Sequence, residues 1–287
     1  MKPPPFAYAQ AHTIEEALAL LDEAGEDAKL IAGGQSLMPL MAYRLARPSH
    51  LVDINRVTEH DYVRQAGGGL AIGALTRHTT LEHSIELTGP WQALREAAAL
   101  IGHQPIRMRG TLGGSLAHAD PSAELPVVAA VLDARIGIRS LIQEREATPV
   151  DFFVGPFMTS LEPDEMIVEV RFPAPPAGLR SAFEEFSPRS GDFAVATACV
   201  ALVPDSSGRA TGVRIALGGV GPAPVRPRQA EAALEGQLLT SRAIAATAGL
   251  CASGCDPGED QRITAAYRRE LVDVLVRRAL GRLKETT

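Results

Sequence analysis

Ala32-Gly33-Gly34-Gln35-Ser36-Leu37 and, further along the chain, Arg109-Gly110-Thr111-Leu112-Gly113-Gly114-Ser115 decide how this sequence is read. Both double glycines follow a segment able to lead into a tight turn, and both end in a small hydroxyl residue. Glycine lets a backbone approach a ligand closely and adopt positive φ, and successive N–H groups can then wrap an anion. One such turn is a weak signal. Two in one domain point to a long ligand carrying a diphosphate, held at more than one place along its length.

Working outward from the first turn, Thr13-Ile14-Glu15-Glu16 has the capping-box pattern and starts a helix through Leu21. A strand over Ala28 to Ala32 leads into the turn, a short helix over Leu37 to Arg44 leaves it, and Leu51 to Ile54 reads as the next strand. This order predicts a small α/β lobe. Around the second turn, Leu70 to Gly73 reads as a strand, and Thr76 and Thr79-Thr80 as caps of a helix. Trp91 to Ile101 is apolar at helical spacing. Val127 to Leu132 fits helix or buried strand, and its place after Pro126 favours helix. Met166 to Phe172 alternates as a strand. Pro173-Ala174-Pro175-Pro176-Ala177-Gly178 is the expected domain boundary. Beyond it, strands over Ala182–Phe186, Ala194–Leu202 and Val213–Leu217 precede two or three helices, the last from about Ile263 to Leu280, which predicts an α+β domain. The expected division is residues 1–175, with lobes of about 1–57 and 58–175, followed by residues 178–287.

The chain has 287 residues, 46% hydrophobic and 22% charged, which suits an ordinary soluble protein able to bury a full core. Its net charge of −6 argues against nucleic acid as the main partner, because phosphate backbones need a basic face. The cations are nearly all arginine, since Lys2, Lys29 and Lys284 are the only lysines. Met1 to Phe6 has no apolar h-region, and no run is long enough to span a bilayer. The expectation is a cytoplasmic protein with no membrane span. Cys199, Cys251 and Cys255 lack Cys-x-x-Cys spacing, so a four-cysteine iron–sulfur cluster is excluded from this chain alone. The thiols are expected to be reduced and buried.

The chain holds no Walker loop and no Gly-x-Gly-x-x-Gly, which disfavours a P-loop or Rossmann site. Gly33, Gly34, Gln35 and Ser36 still offer backbone and side-chain donors for a diphosphate, assisted by the following helix. A Gly-Gly pair is equally often only a tight turn. The second segment is richer. Thr111 and Ser115 suit phosphate or hydroxyl oxygens, and Asp120 and Glu124 are acceptors suited to ribityl or ribose hydroxyls. His103 and His118 flank it, and both a cofactor-lining and an ordinary packed histidine fit. No histidine pair has His-x-x-x-His spacing, so no metal site is expected. No Gly-x-Ser-x-Gly elbow is present. Phe152-Phe153-Val154-Gly155-Pro156-Phe157 reads as core, or as an apolar loop beside a cofactor or partner.

The Ala32–Leu37 turn, the Arg109–Gly114 stretch and Ser190-Gly191-Asp192-Phe193-Ala194 together resemble the FAD-binding (medium) subunit of molybdenum hydroxylases, the family of carbon monoxide dehydrogenase and xanthine dehydrogenase relatives. The resemblance runs from Phe6-Ala7-Tyr8 to the Tyr267–Leu280 helix. It implies an α+β chain: a two-lobed α/β FAD-binding domain (PCMH/vanillyl-alcohol-oxidase-like) followed by a smaller α+β C-terminal domain. It implies that Ala32, Gly33, Gly34, Gln35, Ser36 and Leu37, with Thr111, Gly113, Gly114 and Ser115, cradle the FAD diphosphate. His118, Asp120 and Glu124 fall at cofactor-side positions, and Phe193 becomes the neighbour of the isoalloxazine ring. No catalytic acid or base is expected in this chain. The resemblance further implies an iron–sulfur small subunit with two [2Fe–2S] clusters and a large subunit with the molybdopterin cofactor, in a dimer of heterotrimers. After the second turn this chain has Ala119-Asp120-Pro121-Ser122-Ala123-Glu124, where members acting on carbon monoxide tend to carry Gly-Asp-Pro-Gly-Asn-Asp. That favours an aldehyde or N-heterocycle as substrate, with carbon monoxide disfavoured and still open. Met108 stands where the family often has a polar residue. Two rivals stay open: a self-contained FAD oxidoreductase, and a regulatory protein binding a non-redox nucleotide.

Overall fold

The computed structural model describes residues 2–261 and 263–285. In the first lobe, the Thr13 hydroxyl accepts the Glu16 N–H at 3.1 Å, and the Glu16 carboxylate accepts the His12 N–H at 2.7 Å. This reciprocal cap starts α1 (Ile14–Ala24), which buries Ile14, Ala17, Leu18 and Leu21 and stops at Gly25, where φ is +73°. Three parallel strands, β1 (Ala7–Gln10), β2 (Ala28–Ile31) and β3 (His50–Asp53), form a sheet in the order β1-β3-β2. The short α2 (Leu37–Ala42) lies between β2 and β3. Strand β1 adds to the expected α/β lobe. Its residues are mostly exposed, so the segment carries no alternating apolar signal.

The second lobe runs through β4 (Val63–Ala66), β5 (Gly69–Gly73), α3 (His78–His83), α4 (Gln92–Leu100), α5 (Gln104–Arg107), α6 (Leu112–His118), α7 (Glu124–Val131), β6 (Arg135–Arg139), β7 (Glu144–Ala147), α8 (Pro149–Phe152), β8 (Phe153–Gly155), β9 (Met158–Thr159) and β10 (Met166–Phe172). Its antiparallel sheet has the order β4-β5-β10-β6-β7, with β8 and β9 as a separate hairpin. Thr76, Thr79 and Thr80 are not helix caps. Thr79 and Thr80 lie inside α3, whose N-cap is Arg77. Thr76 is buried, and its hydroxyl donates to the Tyr62 carbonyl at 2.9 Å and accepts the Tyr62 N–H at 3.0 Å.

The third sheet is antiparallel, β11 (Arg180–Phe186), β12 (Ala196–Pro204) and β13 (Ala210–Gly218), followed by α9 (Arg228–Leu234), α10 (Ser241–Ser253) and α11 (Ala265–Glu285). Strand β12 explains its own unbroken apolar run. Ala198, Val200 and Leu202 pack into the cluster formed with α10 and α11. Cys199 and Ala201 point the other way, into the cluster shared with α4, α7 and the second lobe. A strand covered on both faces needs no polar alternation. Helix α7, buried at every position, packs against β12 and β13 of the third sheet and against α4, α6 and α8 of the second lobe.

Candidate cofactor site

The two glycine segments meet. A Cβ built on Gly33 would stand 2.2 Å from the Arg109 carbonyl oxygen and 2.8 Å from the Gly110 Cα. Gly33 is therefore required by close approach of another backbone, since its φ is not in the left-handed region, whereas Gly34 has φ +70°. The second segment is not a turn. Leu112, Gly113 and Gly114 form the first turn of α6, capped by the Thr111 hydroxyl, which accepts the Gly114 N–H at 3.1 Å. A Cβ at Gly113 would lie 2.7 Å from that of Ala74.

The consequence for ligand binding is asymmetric. Leu112 N–H donates to the Thr76 carbonyl, Gly113 N–H to that of Ala74, and Ser115 N–H to that of Thr111. Most backbone donors of the second segment are thus taken by the protein itself. In the first segment, the N–H groups of Gly33, Gly34, Gln35 and Ser36 have no acceptor among the described residues. The Gln35 side chain is turned back, its Nε2 donating to the Gly33 carbonyl at 2.8 Å. Orphan backbone donors in series make an anion-binding concavity.

Both segments open onto one cavity of about 840 Å³. Ala32, Gly33, Gly34, Gln35, Ser36, Leu37, Thr111, Gly113, Gly114, Ser115, His118, Asp120, Glu124 and Phe193 all line it. Lys29 and Arg47, which the motifs do not mark, also line it. Sequence reading also missed His78, 5% exposed, whose Nδ1 has no partner among the described residues. Burial, with the Arg77 and Arg107 charges, pushes it down to about 4, so it is neutral at physiological pH. A Cβ on Gly110 would strike its ring, which is why a glycine stands there.

On the opposite wall, Ala119 takes a left-handed backbone with φ +49° between α6 and α7, and its carbonyl accepts the Phe157 N–H at 2.9 Å. The Phe157 ring lies 5.1 Å from that of His118. The apolar stretch 152–157 therefore divides: Phe152 and Phe153 are core, and Phe157 is exposed on the cavity wall. Burial holds His118 below its ordinary pKa, with Asp120 acting in the opposite direction. The Asp120 carboxylate accepts the Ser122 N–H at 2.9 Å. Glu124, 7% exposed, is pushed up to about 8, first by burial and then by the carboxylates of Glu185 and Asp120. At pH 7 it carries a proton, so it is a donor as well as the acceptor expected of it.

The C-terminal domain supplies Gly191, Asp192 and Phe193 to the cavity. Gly191, with φ +86°, packs against the His103 ring, where a Cβ would come within 2.3 Å. His103 therefore supports the loop that carries Phe193. Phe193 itself is 73% exposed. Met108 is exposed and lies off the cavity wall. Cys199, Cys251 and Cys255 are free and buried, and burial pushes the Cys251 thiol up to about 12. Among the described residues no cluster of side chains is able to hold a metal ion, and no helix is long and apolar enough to cross a membrane.

Residues 4–175 match the family described as the FAD binding domain in molybdopterin dehydrogenase, and residues 181–283 match the CO dehydrogenase flavoprotein C-terminal domain. The chain belongs to the FAD-binding medium subunits of the molybdenum hydroxylases. Among these flavoproteins, it is 45% identical over 282 residues to the 6-hydroxypseudooxynicotine dehydrogenase complex subunit alpha of Paenarthrobacter nicotinovorans, covering 98% of this chain and 95% of that one. A solved carbon monoxide dehydrogenase from Hydrogenophaga pseudoflava superposes with a TM-score of 0.93 at 40% identity, over 98% of both chains. Quinoline 2-oxidoreductase from Pseudomonas putida 86 superposes with a TM-score of 0.94 at 35% identity, over 100% of this chain and 99% of that one. The two-domain α+β architecture of this medium subunit is the one its sequence motifs imply. The residues present also suit the cofactor: orphan donors for a diphosphate, and a long cavity of the size that ligand sites occupy.

Proposed function

We propose that this medium subunit holds FAD along the cavity and serves as the electron outlet of a molybdenum hydroxylase. The observation that carries the reading is the run of orphan N–H groups from Gly33 to Ser36, set in a cavity lined by every residue the motifs assign. Those N–H groups and the Ser115 hydroxyl donate to the diphosphate, and Lys29 and Arg47 add positive charge. Thr111, Gly113 and Gly114 act by shape, placing α6 against the first segment. Asp120 accepts from hydroxyls of the cofactor, and protonated Glu124 donates or accepts there. Phe193 would be the neighbour of the isoalloxazine ring. When bound there, FAD would supply the redox chemistry that links the [2Fe–2S] clusters of a small partner subunit to an external acceptor. The protein contributes binding, orientation and electrostatics, with no catalytic acid or base.

The large partner holds the molybdopterin cofactor, and the whole is a cytoplasmic dimer of heterotrimers. Its substrate is an N-heterocycle or an aldehyde. Relatives named for quinoline and for 6-hydroxypseudooxynicotine support the first of these, and the Ala119–Glu124 segment supports either of them over carbon monoxide. Residues 1–175 carry the cofactor domain, with lobes of about 1–57 and 58–175, and residues 178–287 the C-terminal domain. Purification from the native host, followed by an absorption spectrum and mass spectrometry of released cofactor, tests the whole. FAD near one per chain with co-purifying iron–sulfur and molybdenum subunits is the expected result. FAD without partners would point to a self-contained oxidoreductase, and a colourless, partner-free protein to a non-redox nucleotide binder.

A further inference from the structure

We propose that Arg77 is a positioning residue, a cross-brace whose guanidinium holds the two glycine segments against each other and so sets the width of the diphosphate cradle. The inference rests on the FAD reading above. Arg77 Nη1 donates to the Arg109 carbonyl at 2.6 Å, and Nη2 to Asn55 Oδ1 at 2.9 Å. Asn55 Nδ2 in turn donates to the Ala32 carbonyl at 2.7 Å. A continuous chain of hydrogen bonds therefore runs Ala32–Asn55–Arg77–Arg109. It begins at the residue before Gly33 and ends at the residue before Gly110.

The brace is anchored at both ends. Asp53 Oδ1 accepts both the backbone N–H of Asn55 at 2.8 Å and its Nδ2 at 2.6 Å. The Arg77 backbone sits between two ladder bonds, Leu112 N–H to the Thr76 carbonyl and His78 N–H to the Gly110 carbonyl. By its main chain Arg77 thus belongs to the second segment, and by its side chain it reaches the first through Asn55. The Arg109 carbonyl it grips is the same atom that Gly33 packs against. Asp61 and Asp53 attract its charge, and Arg109 opposes it.

Gly33, Gly34 and Gly110 have no side chains, and the Gln35 and Thr111 side chains bond only within their own segments, so groups outside must set the spacing between the two. Arginine suits this task because its planar fork satisfies two acceptors in different directions, whereas lysine reaches one at a time. Neither Arg77 nor Asn55 is on the cavity wall, so the effect on FAD is indirect, through the placement of Gly33 to Ser36.

The test uses the full chain, stripped of flavin, titrated with FAD at a temperature where every variant is folded. The dissociation constant is read from flavin fluorescence, and the apoprotein melting temperature is read beside it. R77M is expected to weaken FAD binding about 30-fold, and R77K about fivefold, since it restores one of the two bonds. N55A breaks the same chain at its other joint. The double variant R77M/N55A should therefore bind no worse than about threefold below the weaker single variant, because a chain already broken cannot be broken twice. A merely structural role would lower the melting temperature and leave the dissociation constant of the folded apoprotein unchanged. FAD binding by R77M within twofold of wild type, or losses in R77M and N55A that multiply in the double variant, would overturn the brace. If R77M does not fold, R77K and N55A with their double variant carry the same comparison. A wild-type chain that takes up no FAD would overturn both the FAD reading and the brace that serves it.

Discussion

Gly33→Ala is the most informative single substitution. The new methyl would start 2.2 Å from the Arg109 carbonyl oxygen and 2.7 Å from its carbonyl carbon, and real Cβ atoms essentially never approach closer than 3.0 Å. All the nearest atoms belong to backbone, so no side chain can swing aside. The two segments must part by roughly 1 Å, which is an overpacking cost of about 1–3 kcal/mol. If those N–H groups hold the FAD diphosphate as proposed, the same displacement would carry the Gly33 to Ser36 donors off its oxygens, and hydrogen bonds weaken steeply at such distances. A loss of about 2 kcal/mol in binding corresponds to a roughly 30-fold weaker FAD complex. Titration of the apoprotein with FAD, followed by fluorescence, reads this directly. Gly249→Ala is the control. Gly249 lies inside α10 with nothing within 4 Å of the new methyl, so it should leave FAD binding unchanged and raise stability by about 0.5–1 kcal/mol. G33A binding FAD within threefold of wild type would refute the claim that Gly33 is needed for the approach of the two segments.

Glu124 gives a pH signature. Its folded pKa of about 8 lies above the ordinary carboxylate value, so the folded state holds the proton more tightly than the unfolded chain. Its contribution is favourable at low pH and is lost as pH rises from the ordinary value through 8; E124Q should melt closer to wild type at pH 5.5 and clearly above it at pH 8.5. Glu185, raised to about 7 by burial, keeps part of the slope in that variant. Phe193→Ala removes an exposed side chain, so thermal stability should stay within about 0.5 kcal/mol while the visible spectrum and retention of the flavin change. Arg145→Ala leaves Glu165, a buried carboxylate held by Arg145 at 2.5 and 2.7 Å, with the Glu162 N–H as a remaining partner, and should cost about 2–3 kcal/mol in urea unfolding.

Where the sequence was legible, a short-range pattern carried the information. Thr13 and Glu16 mark a helix start because a cap needs only its own neighbours. The alternation of Met166 to Phe172 and the turn chemistry of Pro173 to Gly178 are likewise local. Strand β1 was missed because its exposed residues leave no periodic trace. The threonines 76, 79 and 80 misled because a hydroxyl near a helix start looks the same whether it caps that helix or, like Thr76, ties a strand to Tyr62.

The candidate site divides in the same way. By itself the sequence determined the motifs, the family they belong to, and part of the set of residues that share one cavity. Only the tertiary structure decided how those residues are used. It placed Gly33 against Arg109, so its glycine serves a contact between segments distant in the chain. It also turned most donors of the second segment into the protein and left those of the first without acceptors. Arg77, Asn55 and His78 carry no motif, and their roles arise from hydrogen bonds and burial between residues tens of positions apart. Glu124 likewise reads as an ordinary acidic acceptor until the packing of α7 against β12, β13 and the neighbouring helices removes water from it. Desolvation and long-range approach are properties of the folded chain, which is why no reading of spacing alone reveals them.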